Sequence, residues 1–377
     1  MTLDAPTPKH ILVRELNWLG DAVMSTSALQ RLRQAWPAAR ITVLSHEKLA
    51  DLWKEQPFVD DVVVFSKQQS VWTTARSVRG LQCDTGIVFP NSIRSALEMW
   101  LAGIPVRIGY ARPWRTLFLS HPVRPRQGSI PMRKRSDREV RRLVSHGLES
   151  PVIPIGAHHL HDYIALTATL GALTNPLPPL IHVTEAEMRQ AREQFGIGAG
   201  GQTCWFGLNP GAEYGPAKRW PTEHFVMAAV MLHKRTGCRW VLFGGPGDRD
   251  AATPIASAIE RQTGKAIITD LTGKTTLRQL AAALKSCELV ITNDTGPMHL
   301  ASAVGTPVVI PFGSTSPEMT GPLFATNARI LKATAPCSPC FRRVCPIDLR
   351  CLTEIEPDAV VAAALELLSG FRKNQSL

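Results

Sequence analysis

The chain of 377 residues has no run of 18 uninterrupted apolar residues, and its first ten residues, MTLDAPTPKH, hold no hydrophobic signal region. A membrane-spanning helix and a secretory leader are therefore not expected, and the cytosol is the default compartment. Low-complexity tracts are lacking too, and 44% hydrophobic beside 19% charged residues excludes a disordered or fibrous chain. Acidic residues are scarce relative to basic ones, 31 against 42, which leaves a formal charge of +11. The partner should then be anionic: a nucleotide, a nucleic acid or a membrane surface. No recognised nucleic-acid fold and no basic platform interleaved with aromatics is present, so nucleic acid is not expected. The first strand-to-helix turn lacks G-x-G-x-x-G, and the P-loop pattern is absent, which counts against the common nucleotide fingerprints.

What is present is a regular alternation. The length suggests about two domains at ~150 residues each. Short apolar strands at His10–Arg14, Arg40–Leu44, Val62–Phe65, Thr85–Phe89 and Val106–Ile108 are separated by helical patterns opening at Gly20, Lys48 and Ser92. Such alternation predicts a parallel sheet covered on both faces. Prolines 122, 125 and 131 predict loops before a charged helix, Asp137–His146, and a further helix is expected over His159–Leu170. Thr174-Asn-Pro-Leu-Pro-Pro179 is the best linker in the chain and the expected hinge. Beyond it the alternation resumes. Helices are predicted at Glu185–Phe195, Thr222–Lys234, Asp248–Arg261 and Thr276–Lys285, and strands at Cys204–Leu208, Trp240–Phe243, Ala266–Ile268, Leu289–Ile291 and Val308–Ile310.

Four stretches carry residues suited to chemistry. The stretch Ile291-Thr-Asn-Asp294-Thr295-Gly296-Pro297-Met-His299 hands a helix N-terminus to a strand end. The unpartnered N–H groups and positive dipole there suit a diphosphate, although Asp294 and Thr295 would also serve as plain caps. Asn17-Trp-Leu-Gly20-Asp21 places a carboxylate at the first βα turn, as general base or as stabiliser of the helix start. Asn209 to Pro221 joins glycines to Lys218 and Arg219 directly after a strand, and Phe243-Gly-Gly245-Pro-Gly247-Asp248 ends a glycine turn in a carboxylate, with Asp250 close by. These suit phosphate and ribose respectively. Of eight cysteines, Cys83, Cys204, Cys238 and Cys287 are scattered through apolar stretches as small core residues. Cys337, Cys340, Cys345 and Cys351 are bunched at a spacing that leaves both a metal site and reduced structural thiols open.

Together, N-W-L-G-D with A-L-Q-R-L-R behind it, N-P-G-A-E-Y-G-P-A-K-R-W-P, N-D-T-G-P-M-H and C-S-P-C-F-R-R-V-C-P resemble the bacterial lipopolysaccharide heptosyltransferases of glycosyltransferase family 9, most closely the type-II members. The likeness spans almost the whole chain. It implies a GT-B architecture of two Rossmann-like, doubly wound α/β domains facing across a cleft. These would be an acceptor domain at 1–175 and a nucleotide-sugar domain at 180–356, with a helix at 357–371 packing back on the first. The implied reaction moves heptose from ADP-L-glycero-D-manno-heptose to the inner core of lipopolysaccharide, second heptose onto first, with inversion and with neither metal nor cofactor. By the same resemblance Asp21 is the base and Lys218 meets phosphate, while Asp294, Thr295, Gly296 and His299 cradle the diphosphate and sugar. Asp248 is the counterpart of the acid on the ribose. Paired threonines of the first heptosyltransferase are replaced by Glu213 and Tyr214, which favours type II. A heptosyltransferase with another acceptor and a sugar-nucleotide 2-epimerase of the same fold are the alternatives. Between Arg107 and Arg142 eleven Lys and Arg stand against Asp137 and Glu139. This stretch, with Arg133, Lys134 and Arg135, and Arg94 nearer the reaction, is expected to hold the anionic acceptor at the cytoplasmic face of the inner membrane.

Overall fold

The computed structural model describes residues 7–147, 152–198, 203–322 and 324–375. Contacts divide the chain into two units, Met1–Ile130 with Ile155–His182 and Pro131–Pro154 with Val183–Leu377. Each contains one six-stranded parallel sheet.

In the first unit the strands are β1 (His10–Arg14), β2 (Arg40–His46), β3 (Asp61–Phe65), β4 (Thr85–Val88), β5 (Val106–Tyr110) and β6 (His121–Val123), in the order β3-β2-β1-β4-β5-β6. The central strands are short continuous apolar runs, as a sheet covered on both faces requires. Ile11 pairs with Ile41 on one side of β1, and Val13 pairs with Ile87 on the other. The first helix, Leu19–Ala35, buries every residue from Ala22 to Leu29. Its run of alanine, serine and threonine lets the helix Leu160–Ala168 pack closely against it. The proline-rich linker is pinned to that first helix. Leu177 N–H donates to Ser27 Oγ at 3.0 Å, Leu180 N–H to Thr26 Oγ1 at 3.0 Å, and Arg31 Nε to the Asn175 carbonyl at 2.8 Å. The expected hinge segment is thus held on the first unit, which ends at His182.

The second unit repeats the plan with β7 (Trp205–Asn209), β8 (Arg239–Leu242), β9 (Ile268–Asp270), β10 (Leu289–Thr292), β11 (Val308–Phe312) and β12 (Ala328–Lys332), ordered β12-β11-β10-β7-β8-β9. Its last helix, Pro357–Gln375, packs on the helix Thr222–Thr236 and on β11 and β12. Val360, Val361 and Ala364 belong to this unit's core. This differs from a return to the first unit, because the helix's apolar stripe is taken up by the sheet that precedes it. A second departure lies in the basic stretch, whose latter part belongs to the second unit. Val140 of the helix Asp137–His146 packs on Cys337 and Cys340, and the Arg135 N–H donates to the Cys340 carbonyl at 3.0 Å.

Sequence periodicity missed β6 and β12, and both are edge strands. Pro122 argues for a loop, yet an edge strand has a free side on which a missing N–H costs nothing. β12 alternates weakly, since none of its residues is fully buried.

Candidate active site

In doubly wound sheets the strand order reverses at one point, and ligands bind outside the carboxyl ends of the two strands there. In the first unit that point lies between β1 and β4, and in the second between β7 and β10.

At the first switch point, the chain leaving β1 runs through Glu15 to Asn17 and then turns into the first helix, with Asp21 in its first turn. Asp21 is half-buried, and the Tyr163 hydroxyl donates to its Oδ1 at 3.0 Å. Burial, followed by the nearby Asp21 charge, raises the Tyr163 pKa well above the ordinary phenol value, so it remains a donor. A carboxylate oriented by a fixed donor is the arrangement a general base needs. Behind it Glu15 is fully buried; its Oε2 accepts from Ser25 Oγ at 3.0 Å and from the Leu16 N–H at 3.2 Å. Burial pushes its pKa up to about 8, which keeps Glu15 neutral at pH 7. On the same edge Glu98 sits between two arginines, accepting from Arg14 Nε at 3.0 Å and from Arg94 Nε at 2.8 Å. Arg94 also donates to the Gln69 carbonyl at 2.6 Å while its side chain stays 39% exposed. Two guanidinium groups sharing one carboxylate leave a net positive edge beside Asp21.

At the second switch point the loops after β7 and β10 meet. Lys218 Nζ stands 2.6 Å from Asp294 Oδ2, with the two side chains 14% and 4% exposed. The Thr315 hydroxyl donates to the same carboxylate oxygen. Asp294 therefore holds Lys218 in place and is not itself presented to a diphosphate, which it would repel. Asn293 ties the loops together, its Nδ2 donating to the Pro210 carbonyl at 2.7 Å and its Oδ1 accepting from the Trp220 N–H at 2.9 Å. The helix Gly296–Ala303 begins at Thr295, whose side chain makes no capping bond, and Pro297 occupies its first turn. His299 is buried, and burial pushes its pKa down to about 4, against the pull of Asp294. Its imidazole is neutral at physiological pH and can offer an N–H but no charge. Tyr214 lies beneath two cations, with Lys218 Nζ 5.0 Å and the Arg343 guanidinium 5.3 Å from its ring, and its hydroxyl donates to the Phe341 carbonyl at 2.7 Å.

Asp248 is seated directly over Gly211, where a Cβ would come within 2.3 Å of its Cγ. Its Oδ2 accepts from the Gly245 N–H at 2.9 Å, and Arg219 lies 3.8 Å from Oδ1. Gly211 is needed for this close approach. Asp250 is exposed in the first turn of the next helix.

The three residues of the basic triad have different surroundings. Arg133 pairs with Glu139, Lys134 is exposed, and Arg135 is buried against the cysteine-bearing segment. Arg135 is thus a packing residue. Cys337, Cys340, Cys345 and Cys351 are free and line one cavity of about 10 Å³ with Val140 and Leu349, room for one water at most. Burial raises the Cys337, Cys340 and Cys351 pKa values. Among the described residues no group of three or more His, Cys, Asp or Glu is disposed to hold a metal ion.

Sequence reasoning overlooked Glu15, Tyr163 and Thr315. Thr315 had a signal, the hydroxyl run Ser314-Thr315-Ser316 just past a strand. Tyr163 lies inside a helix 142 residues from Asp21 and had none.

Residues 129–350 match glycosyltransferase family 9 (heptosyltransferase). The chain is 30% identical over 335 residues to lipopolysaccharide heptosyltransferase 2 of Escherichia coli (strain K12), covering 85% of this chain and 87% of that one. It is 31% identical over 332 residues to lipooligosaccharide heptosyltransferase 2 of Haemophilus influenzae, at 86% and 89% coverage. The solved structure of the E. coli ADP-heptose LPS heptosyltransferase II superposes with a TM-score of 0.76 at 28% identity, covering 96% of this chain and 99% of that one. The two Rossmann-like units are thus those of a GT-B enzyme.

Proposed function

Because the chain belongs to glycosyltransferase family 9, the heptosyltransferases, we propose that it transfers heptose from ADP-L-glycero-D-manno-heptose onto the first heptose of the lipopolysaccharide inner core, with inversion. In this reading Asp21, oriented by Tyr163, takes the proton of the acceptor hydroxyl. The freed oxygen bonds to the anomeric carbon as the bond from that carbon to the β-phosphate oxygen breaks, and ADP departs with the electron pair. Lys218, Thr295, Gly296 and the neutral His299 meet the charge that builds on the diphosphate. Asp294 acts on it through Lys218. Asp248 takes the ribose, and Arg94 and Lys134 take anionic groups of the acceptor. The acceptor's lipid implies peripheral work at the cytoplasmic face of the inner membrane. Among the described residues no helix is long and apolar enough to cross one.

The observation that carries the reading is a coincidence at the second switch point. A lysine held by a buried carboxylate that Thr315 in turn fixes, and an uncapped helix start, stand on the loops after β7 and β10, and both features stabilise a departing diphosphate more than a bound one. The test presents ADP-heptose with two acceptors, a Kdo–lipid A that carries one heptose and one that carries none, and reads products by mass spectrometry. Addition to the first alone is expected. Asp21→Asn should lower that rate by about 10² to 10⁴, with calorimetric ADP binding retained. Equal addition to both acceptors, or donor turnover with neither, would overturn the assignment.

A further inference from the structure

The stretch between Glu98 and Asp137 contains no acidic residue, and in the first unit it builds a loop with an unusual division of labour. Arg115 is fully buried, its guanidinium donating to the carbonyls of Tyr110, of Val88 at 3.2 Å and of Pro90 at 2.8 Å. Gly109 makes room, since a Cβ there would lie 2.8 Å from Arg115 Nη2. The residue just before this anchor, Trp114, has φ +63° and is 75% exposed. A bulky side chain at positive φ is a genuine outlier, yet three quarters of the residue stays open to solvent. Two residues after the anchor, Leu117 is 72% exposed.

The apolar surface continues onto the neighbouring helix Ile93–Leu101, which packs against the turn Arg115–Phe118. Trp100 meets Phe118 with ring centroids 5.8 Å apart and remains 48% exposed. Ile93, seven residues earlier on the same helical face, is 46% exposed. The helix's only acid, Glu98, is buried between Arg14 and Arg94, while Arg112 at the loop's shoulder and Arg124 beyond it are exposed. Exposed tryptophan and leucine flanked in sequence by exposed arginines, on a stretch without an acidic residue, is the composition of a surface that seats in the headgroup region of an anionic bilayer. Monomeric surfaces rarely leave such a patch uncovered.

We infer that the Arg115-anchored loop, with the outer face of the helix Ile93–Leu101, is the element by which this protein docks on anionic phospholipid, Trp114 and Leu117 entering the interface and Arg112 meeting phosphate. This rests on the lipid-linked acceptor proposed above and names the surface that serves it. The anchor gives the loop its rigidity, so the apolar tips stay presented in solution and do not fold back.

The test is flotation of the full-length protein with vesicles of phosphatidylethanolamine and phosphatidylglycerol, without donor or acceptor. The wild type should float at low salt. Trp114→Ser/Leu117→Ser should lower the partition coefficient about a hundredfold, the expected loss for two large apolar side chains. Arg112→Glu should lower it less and weaken its salt dependence. Transfer to a lipid-free inner-core oligosaccharide should be unchanged in the double variant, which also reports that it is folded. Wild-type protein that does not float, or a double variant that floats as well as the wild type, overturns the inference. If the wild type floats through this loop but adds no heptose to any acceptor, the docking surface stands and the proposed reaction falls.

Discussion

Replacing Glu15 by glutamine should stabilise the protein at neutral pH and leave it unchanged in mild acid. The side chain is fully buried at the end of β1; two donors reach Oε2, and Oε1 has no partner. Burial raises its pKa from the model-peptide value of 4.5 to about 8. The folded protein thus keeps a proton that the unfolded chain has already released above its ordinary value. Between these two values the native state binds more protons than the unfolded state, so stability falls as pH rises and levels off above the folded value. At pH 7 the gap is about 2.5 units at ~1.4 kcal/mol each, or roughly 3 to 4 kcal/mol. Glutamine mimics the protonated carboxyl, accepts from the same two donors and cannot ionise, so it removes this cost alone. Urea unfolding of both proteins at pH 4.5, 7 and 9 measures the effect. The difference should be near zero in acid, about 3 to 4 kcal/mol in favour of the variant at pH 7, and larger and flat above 8. Other titrating groups cancel in the difference, apart from those that feel Glu15, namely Arg14 and Asp21. A difference that does not vary with pH, or a wild type more stable at pH 7, would refute the buried neutral carboxyl.

Lys218→Ala should lower turnover and donor affinity together, and should also destabilise the second unit by roughly 3–5 kcal/mol, since Asp294 is left buried without its counter-ion; thermal shift of Lys218→Ala against Lys218→Ala/Asp294→Asn checks this, the second change restoring much of the loss. Gly109→Ala forces a Cβ onto the pinned Arg115 guanidinium and should cost ~1–3 kcal/mol, read by chemical denaturation, whereas an unaltered midpoint would mean that Arg115 is not anchored as described. Lys134→Glu should raise the acceptor's Michaelis constant and flatten its rise with salt, with the ADP-heptose constant unchanged, because screening shortens the reach of exposed charge from ~8 Å at physiological ionic strength to ~3 Å at 1 M. Thiol titration at pH 8 should find Cys345 the first of its cluster to react, with Cys238, which burial pushes up to about 12, silent until the chain unfolds.

What the sequence determines by itself is what depends on neighbours along the chain. Continuous apolar runs define the central strands, and glycine, proline and capping residues after them define the turns. Asp21, Lys218 and the stretch from Asp294 to Gly296 are therefore legible as strand-end residues, since a parallel sheet presents all such ends on one edge. Two of the edge strands escape this reading, β6 because Pro122 argues for a loop and β12 because none of its residues is fully buried. Tertiary structure decides what each of those groups is. Asp294 looks like a ligand residue in sequence and becomes the brace of Lys218, because only the fold brings the loops after β7 and β10 within 2.6 Å of each other. His299 is held neutral, and Glu15 keeps its proton, through burial. The run of arginines looks uniform in sequence, yet Arg115 is locked inside, Arg135 packs on the cysteine segment and Arg112 faces solvent. Charge is written in the sequence, but whether a charge is solvated, paired or buried is a property of distance and dielectric, and both are supplied by chain segments far away in sequence.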